Sequence, residues 1–333
     1  MGQDSTNESR TAPSPTWAAV RYDSLELRGR SLISIADLDA HQVTGVLDLA
    51  AALKGARGTG AAPLWNGTRS LAMIFEKPSL RTRVTFELGM RELGGIPIVL
   101  GPTEIGLGKR ESVADVARNL GRWVSAIMAR VYDHSALVEM RDNCAIPVIN
   151  ALSDVEHPCQ TLADLLTIRE RLGRLDGVRI AWVGDGNNVA HSLMLGAALT
   201  GASVIAACPT GYEPDAAIVE KARSLAHDPG AIRVTGNPYE AVAEADVVYT
   251  DVWASMGQEA EASQRKAVFA PYQVNADLMR RAGSRAIFLH CLPAHRGEEV
   301  TDEVLDGPQS AALDQAENRL HAQKAVLALL IGP

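Results

Sequence analysis

Eight short, nearly continuous apolar runs divide this chain of 333 residues, and stretches of helical periodicity lie between most of them. The runs cover 71–75, 96–100, 126–131 and 145–150 in the first half, then 178–183, 203–207, 245–249 and 286–290 in the second. A strand that is apolar along its whole length needs cover on both faces, which is the condition of a parallel sheet wrapped by helices. The helical stretches that supply the cover are 38–53, a run from about Arg81 through Val84, Leu88 and Met90, 112–123, a run opening at His157, one from about Ala190, 216–226 and 315–330. We therefore expect an α/β chain with two doubly wound parallel-sheet domains joined by bridging helices. Its divisions are a disordered or extended tail at 1–30, a first domain at 31–155 and a second at 156–313. A C-terminal helix at 314–333 returns to the first domain.

The totals narrow the class. Apolar residues make up 47% and charged residues 22%, as in soluble globular proteins. A net charge of −8 argues against a nucleic-acid partner, so any anion site must be a local basic pocket. The cysteines, Cys144, Cys159, Cys208 and Cys291, are far apart. They form neither a disulfide framework nor a zinc pattern, and suit a reducing cytosol. No apolar run approaches the roughly 20 residues that span a bilayer. The first 17 residues are polar, rich in Ser, Thr and Pro, and lack a signal-peptide core, so a disordered tail and a cytoplasmic location are expected.

In doubly wound sheets, ligands sit at the carboxyl ends of the strands. The candidate residues follow that rule. Phe75-Glu76-Lys77-Pro78-Ser79-Leu80-Arg81-Thr82-Arg83 leads from a strand into a helix start, where free N–H groups and the helix dipole favour an anion. Two hydroxyls and a guanidinium there suit a phosphate dianion; a Ser that merely caps the helix is the plainer alternative. Arg130 ends another strand. His157 and Gln160, three residues apart at a helix start, can face one site and hold a carbonyl and its NH2 group, or His157 can simply cap its helix. Asp251 follows a strand and precedes Ser255-Met256-Gly257, a small segment that could close on a substrate. Cys291 and Leu292 follow the last strand. Arg319 is either a solvated charge on the terminal helix or reaches back to the phosphate site. Gly184-Asp185-Gly186 tempts toward a dinucleotide fingerprint, but Val189 stands at the third glycine position and the next strand ends in Cys208-Pro209, without an acid for a ribose. Asn187 and Asn188 instead offer neutral amides, or serve as turn residues.

Ser79-Leu80-Arg81-Thr82-Arg83, His157-Pro158-Cys159-Gln160 and His290-Cys291-Leu292-Pro293 together resemble the aspartate/ornithine carbamoyltransferases. Phe75-Glu76-Lys77, Gly184-Asp185-Gly186-Asn187-Asn188 and Asp251 with Ser255-Met256-Gly257 are similar to the ornithine branch. The resemblance runs from about Leu32 to the C-terminus. It implies transfer of the carbamoyl group of carbamoyl phosphate to the δ-amine of L-ornithine, with no metal or organic cofactor. The first domain would then bind carbamoyl phosphate and the second ornithine.

By the same resemblance, Ser79, Leu80 (through its backbone), Arg81, Thr82 and Arg319 hold the phosphate. Arg130, His157 and Gln160 hold the carbamoyl group, and Cys291 and Leu292 line the reacting centre. Asn188, Asp251, Ser255 and Met256 hold ornithine. Cys291, Arg130, His157 and Asp251 are the catalytic candidates. The family forms trimers with sites near subunit interfaces. Two departures stand out: Leu80 replaces a frequent Thr, and the 105–109 loop lacks the Gln that reaches a neighbouring site, leaving Lys109 as a weak substitute. The competing readings are a transcarbamylase for another amine (aspartate, acetylornithine, putrescine or lysine), a nicotinamide dehydrogenase and a catalytically silent scaffold.

Overall fold

The apolar runs form parallel strands in two sheets. Residues 22–61, 63–254 and 261–332 are described in the computed structural model. The first half runs α1 (Ala40–Ala56), β1 (Ser70–Phe75), α2 (Leu80–Glu92), β2 (Ile96–Leu100), α3 (Pro102–Ile105), α4 (Val113–Leu120), β3 (Ala126–Arg130), α5 (His134–Asp142) and β4 (Val148–Leu152). Its sheet has the order β2-β1-β3-β4. The second half opens with α6 (Pro158–Leu172), β5 (Arg179–Val183), α7 (Asn188–Leu199), β6 (Ser203–Ala207), α8 (Ala216–Leu225), β7 (Ile232–Thr235) and α9 (Pro238–Val242). It continues through β8 (Val247–Thr250), α10 (Ala262–Phe269), α11 (Ala276–Ala282), β9 (Ile287–His290), α12 (Asp302–Leu305) and α13 (Ala312–Ile331). Its sheet has the order β7-β6-β5-β8-β9. Every strand pairing within these sheets is parallel. The order reverses beside β1 in one sheet and beside β5 in the other, so each sheet opens a crevice at its carboxyl edge.

Several elements differ from the sequence expectation. The strand placed at 145–150 is Val148–Leu152, starting three residues and ending two residues later, because Ile149 pairs with Leu32 and Val148 N donates to Ser31 Oγ. The edge strand β7 and the helix α5 were not expected; each is short, and β7 exposes Arg233. Val84, read as part of the apolar face of α2, is 49% exposed, while Phe86 and Met90 are buried. The first helix, expected to end at 53, continues to Ala56.

Two helices fix the relation between the sheets. Every residue of α6 from Pro158 to Ile168 is buried, so its first three turns are not amphipathic but enclosed on all sides. The last helix, α13, packs against α1, α2 and α6, which places it on the first domain. Its end is tied there, with Gly29 N donating to Leu330 O at 2.8 Å and Trp65 Nε1 to Gly332 O at 2.9 Å. Each fully buried aliphatic chain on this helix, such as Leu327, stabilises by roughly 1.5–3 kcal/mol. One continuous core therefore links α1, α6, α7, α13 and the inner faces of both sheets. At the end of α2, Gly94 adopts φ +84°, and a Cβ there would lie 1.8 Å from Trp65 O; only glycine fits.

No helix among the described residues is long and apolar enough to cross a membrane. The four cysteines are free. Of the tail expected at 1–30, residues 1–21 lie outside the described residues; 22–30 are not a loose tail, since Leu25 and Leu27 are buried and Gly29 N donates to Leu330 O.

Candidate active site

A cavity of about 810 Å³ lies between the carboxyl edges of the two sheets. Ser79, Leu80, Arg81, Thr82, Arg130, His157, Gln160, Asn188, Asp251, Cys291, Leu292 and Arg319 all line it. Lys109 is exposed and is not part of this lining. Ser255 and Met256 lie outside the described residues.

The first wall is built where β1 ends. Phe75 is level with Arg130 on β3, and Glu76 fastens the turn to that strand: its N–H donates to Arg130 O, and its Oε2 accepts from Tyr132 N, both at 2.9 Å. Ser79 then caps α2, its Oγ accepting from Thr82 N at 3.3 Å. The cap aims the first turn of α2, with its outward N–H groups, into the cavity. Arg319 enters from α13. Its Nη1 donates to Gln160 Oε1 at 2.6 Å and its Nη2 to Thr82 Oγ1 at 3.1 Å. Gln323 adds a third partner when its amide oxygen faces the guanidinium, at 3.2 Å from Nε and 3.0 Å from Nη2. The terminal helix thus reaches back, and Arg319 is buried rather than solvated.

Three guanidiniums converge here, and among the described residues no carboxylate forms an ion pair with Arg81, Arg130 or Arg319. Burial lowers the Arg130 pKa to about 10, with Arg319 and Arg81 adding to the effect. It remains a cation at neutral pH, and its buried Nε has no hydrogen-bond partner among the described residues. His157 starts α6 with φ −135° and ψ 67° but makes no side-chain capping bond, which removes the plain capping alternative. Its ring is held neutral: burial first, then Arg319, Arg130 and Arg81, pull its pKa well below the usual 6.5. Its Nδ1 is also buried without a partner among the described residues. Two unsatisfied polar atoms beside three desolvated cations suit an anionic ligand with hydrogen-bonding groups of its own.

The second wall is acidic. Asn187 caps α7, its Oδ1 accepting from Val189 N and Ala190 N, while its Nδ2 donates to Asp251 Oδ2 at 2.8 Å. The helix start that a dinucleotide would need is therefore taken by a side chain. Gly186 lies so close to the next loop that a Cβ would be 2.1 Å from Pro214 N. Asn188 Nδ2 reaches across to Ser153 O, at the end of β4, at 2.5 Å. Cys291 Sγ donates to Asp251 Oδ1 at 2.9 Å, and Val252 N donates to the same oxygen at 2.8 Å. Burial, then the charge of Asp251, push the Cys291 thiol well above its usual 9. Cys291 is therefore a thiol, not a thiolate. Leu292 adopts φ 58° before a cis bond to Pro293. Its N–H donates to His290 Nδ1 at 2.9 Å, and His290 Nε2 meets Glu299 Oε1 at 3.2 Å.

Among the described residues, two groups of side chains bring three potential metal-ligand atoms within 4.8 Å: Asp251, His290 and Cys291, and His295, Glu298 and Glu299. In the first group both nitrogens of His290 are engaged, and the thiol is bonded to Asp251. In the second, Lys266 pairs with Glu298 at 3.1 Å. Neither presents an unengaged donor set.

Several lining residues were missed from sequence. Asp185 forms a buried pair with Arg265 at 3.1 Å, and burial raises its carboxyl to about 6 despite that partner. It sits inside the Gly184-Asp185-Gly186 turn and could have been read as an acid at a strand end. Ser153 went unread because the end of β4 was placed two residues early. Arg265 gives no signal of its own, since it stands beside Lys266 as one of two cations on a polar helix.

The family description "Aspartate/ornithine carbamoyltransferase, carbamoyl-P binding domain" matches residues 30–170, and the companion "Asp/Orn binding domain" matches 176–330. The chain is 52% identical over 309 residues to a protein named ornithine carbamoyltransferase from Anoxybacillus flavithermus, covering 92% of this chain and 98% of that one. It is 50% identical, with the same coverage, to a Pyrococcus furiosus protein named ornithine carbamoyltransferase, anabolic. The solved structure titled ornithine carbamoyltransferase from Pyrococcus furiosus superposes with a TM-score of 0.89 at 51% identity, covering 92% of this chain and 98% of that one.

Proposed function

The chain belongs to the aspartate/ornithine carbamoyltransferase family, and on that premise we propose that it transfers the carbamoyl group of carbamoyl phosphate to the δ-amine of L-ornithine, giving L-citrulline and phosphate. One observation carries this reading: a single cavity with three guanidiniums on one wall and the Asp251–Cys291 pair on the other. Such a cavity takes a dianion and the ammonium-bearing end of an amino acid side by side.

Ser79, the Leu80 N–H, Arg81, Thr82 and Arg319 hold the phosphate, aided by the positive end of α2. Arg130, Thr82 and His157 polarise the carbamoyl carbonyl. Gln160 and the Cys291-Leu292 turn flank its NH2 group. Asn188 and Asp251, with Ser255 and Met256, hold the amino-acid end of ornithine. The amine nitrogen forms the new C–N bond at the carbonyl carbon. Arg130 stabilises the oxyanion that develops there. The C–O bond to phosphate then breaks, and the phosphate leaves with that electron pair; in the products the proton shed by the amine resides on phosphate. A protonated Cys291 cannot take that proton in the resting site, so the amine must arrive neutral. Placing both substrates between two sheets supplies orientation.

The substrates are small molecules. Residues 31–155 with the 314–333 helix act as the carbamoyl phosphate unit and 156–313 as the ornithine unit, in a cytoplasmic homotrimer or multiple of trimers. Exposed Leu80 and Val84 on α2 and Ile96 and Ile98 on β2 support assembly through the first domain. The anabolic name of the Pyrococcus furiosus relative supports the direction of arginine biosynthesis. The test is a colorimetric citrulline assay with purified protein, run beside aspartate, acetylornithine, putrescine and lysine. Ornithine should be the preferred amine; no citrulline, or a better rate with another amine, overturns the assignment.

A further inference from the structure

Behind the cavity, Asp164 lies one turn after Gln160 on α6, with no part of it exposed. Three donors converge on its carboxylate. Gln160 Nε2 and Gln315 Nε2 reach Oδ1 at 2.8 and 2.6 Å, and the Tyr249 hydroxyl reaches Oδ2 at 3.1 Å. These donors lead to both substrate walls. Gln160 Oε1 accepts from Arg319, which bonds Thr82. Gln315 Oε1 accepts from His290 N at 2.9 Å, one residue before Cys291. Tyr249 precedes Asp251 by two residues on β8 and also accepts from Gln315 Nε2 at 2.8 Å.

An ionised carboxylate can only accept hydrogen bonds. It therefore turns the NH2 groups of Gln160 and Gln315 inward and their carbonyls outward, toward Arg319 and the His290 N–H. Either amide alone could sit two ways round; one buried group sets both. Burial pushes the Asp164 carboxyl up to about 7 against its three donors, and a proton taken up on Oδ2, which faces Tyr249, still leaves Oδ1 as the acceptor of both amides. A carboxylate so placed, without a contacting cation, is a poor source of stability, since an apolar side chain would avoid the desolvation.

We propose that Asp164 is a positioning residue for carbamoyl transfer: it fixes the direction of the Gln160 amide, and through it Arg319, while holding the Tyr249 and Gln315 supports of the opposite wall. It acts without touching either substrate. Supporting groups of this kind matter because small errors in the placement of reacting groups cost large factors in rate.

The proposal rests on the carbamoyl-transfer reading, so citrulline formation by the wild-type protein is measured first. An inactive wild type overturns the reaction assignment; an active wild type with an unimpaired Asp164→Asn variant overturns only the role of Asp164. Asp164→Asn keeps the shape but can donate as well as accept, so both amides lose their fixed direction. Its kcat should fall about 100-fold with native circular dichroism and little change in KM for ornithine. Because Asp164 acts in large part through Gln160, adding Asp164→Asn to Gln160→Ala should slow the enzyme by about fivefold, the share carried by the Tyr249 side, and not by a further 100-fold. A folded Asp164→Asn enzyme with near-wild-type kcat, or effects that multiply in the double variant, overturns the role. Should Asp164→Asn fail to fold, Tyr249→Phe decides: removing one donor should lower kcat about fivefold without shifting the melting temperature, and an unchanged kcat overturns the role.

Discussion

Arg319 Nη2 lies 3.1 Å from Thr82 Oγ1, joining the last helix to the first turn of α2 across 237 positions of chain. The same guanidinium holds Gln160, so it spans two groups with two nitrogens in a fixed plane. A lysine carries the charge but is a single point and cannot make both contacts. Arg319→Lys should therefore lose about 2–5 kcal/mol of interaction with carbamoyl phosphate, a fall in kcat/KM of roughly 30-fold or more. Steady-state kinetics with carbamoyl phosphate varied would read this. An unchanged kcat/KM would remove Arg319 from the phosphate grip.

Arg81 stands nearer solvent than its two companions; burial lowers its pKa, with Cys291 and Asp251 opposing. It adds to the positive charge that depresses Arg130. Removing it should relieve repulsion in the free protein while depriving the dianion of a partner. Arg81→Ala should thus abolish turnover, keep or slightly raise the melting temperature without ligand, and lose most of the stabilisation by inorganic phosphate. For the wild type that stabilisation should reach about 2.7 kcal/mol at a phosphate concentration 100 times Kd. Differential scanning calorimetry with and without phosphate checks it; a full phosphate shift in the variant would exclude Arg81 from the anion site.

What could be read from sequence, and what could not, follows from how far apart the interacting residues lie. Ser79, Arg81 and Thr82 fall within one turn, and His157 and Gln160 within another, so strand-to-helix junctions exposed them. Asp164 was invisible because it sits among buried leucines of α6, and its partners Tyr249 and Gln315 come from 85 and 151 positions away. The direction of Arg319 was open for the same reason: only packing of α13 on α2 and α6 decides it. The parallel sheets were legible because short runs that are apolar along their whole length leave few other solutions. The short edge strand β7 was not, since Ile232–Thr235 has only four residues and pairs on one side alone. The register of β4 was missed because a bridge from Leu32, more than a hundred positions earlier, sets it.

The Cys291 thiol donates to Asp251 and is raised far above its usual pKa, so it acts as a polar contact and not as a nucleophile. Cys291→Ser retains a donor for Asp251 and should keep activity within about tenfold, while Cys291→Ala, leaving Asp251 without it, should lose more. Iodoacetamide should modify Cys291 more slowly than a free thiol at pH 8. Because no thiolate takes the amine proton, the rate should rise from roughly pH 6 to pH 8 in both the wild type and Cys291→Ser, as more ornithine δ-amine is neutral. A pH dependence that disappears in Cys291→Ser would assign the base to the thiol instead.

His321 offers a separate test, of stability instead of catalysis. It lies buried on α13 with neither ring nitrogen hydrogen-bonded; Glu317 Oε1 is 3.8 Å from Nε2. Burial, then Lys324, Lys54 and Arg57, lower its pKa to about 4, with Glu92 opposing. In the unfolded chain the ring titrates near 6.5. Between those values the unfolded state binds a proton that the folded state refuses, so stability falls as pH drops from 6.5 toward 4. His321→Leu removes both the titration and two unsatisfied nitrogens. At pH 7.5 the variant should melt at or above the wild-type temperature. Its loss of stability between pH 6.5 and 4.5 should be shallower than that of the wild type. Other buried groups, His157 and His191 among them, titrate in both proteins, so the difference between the two curves is the quantity to measure. Parallel curves would show that His321 is protonated in the folded protein after all.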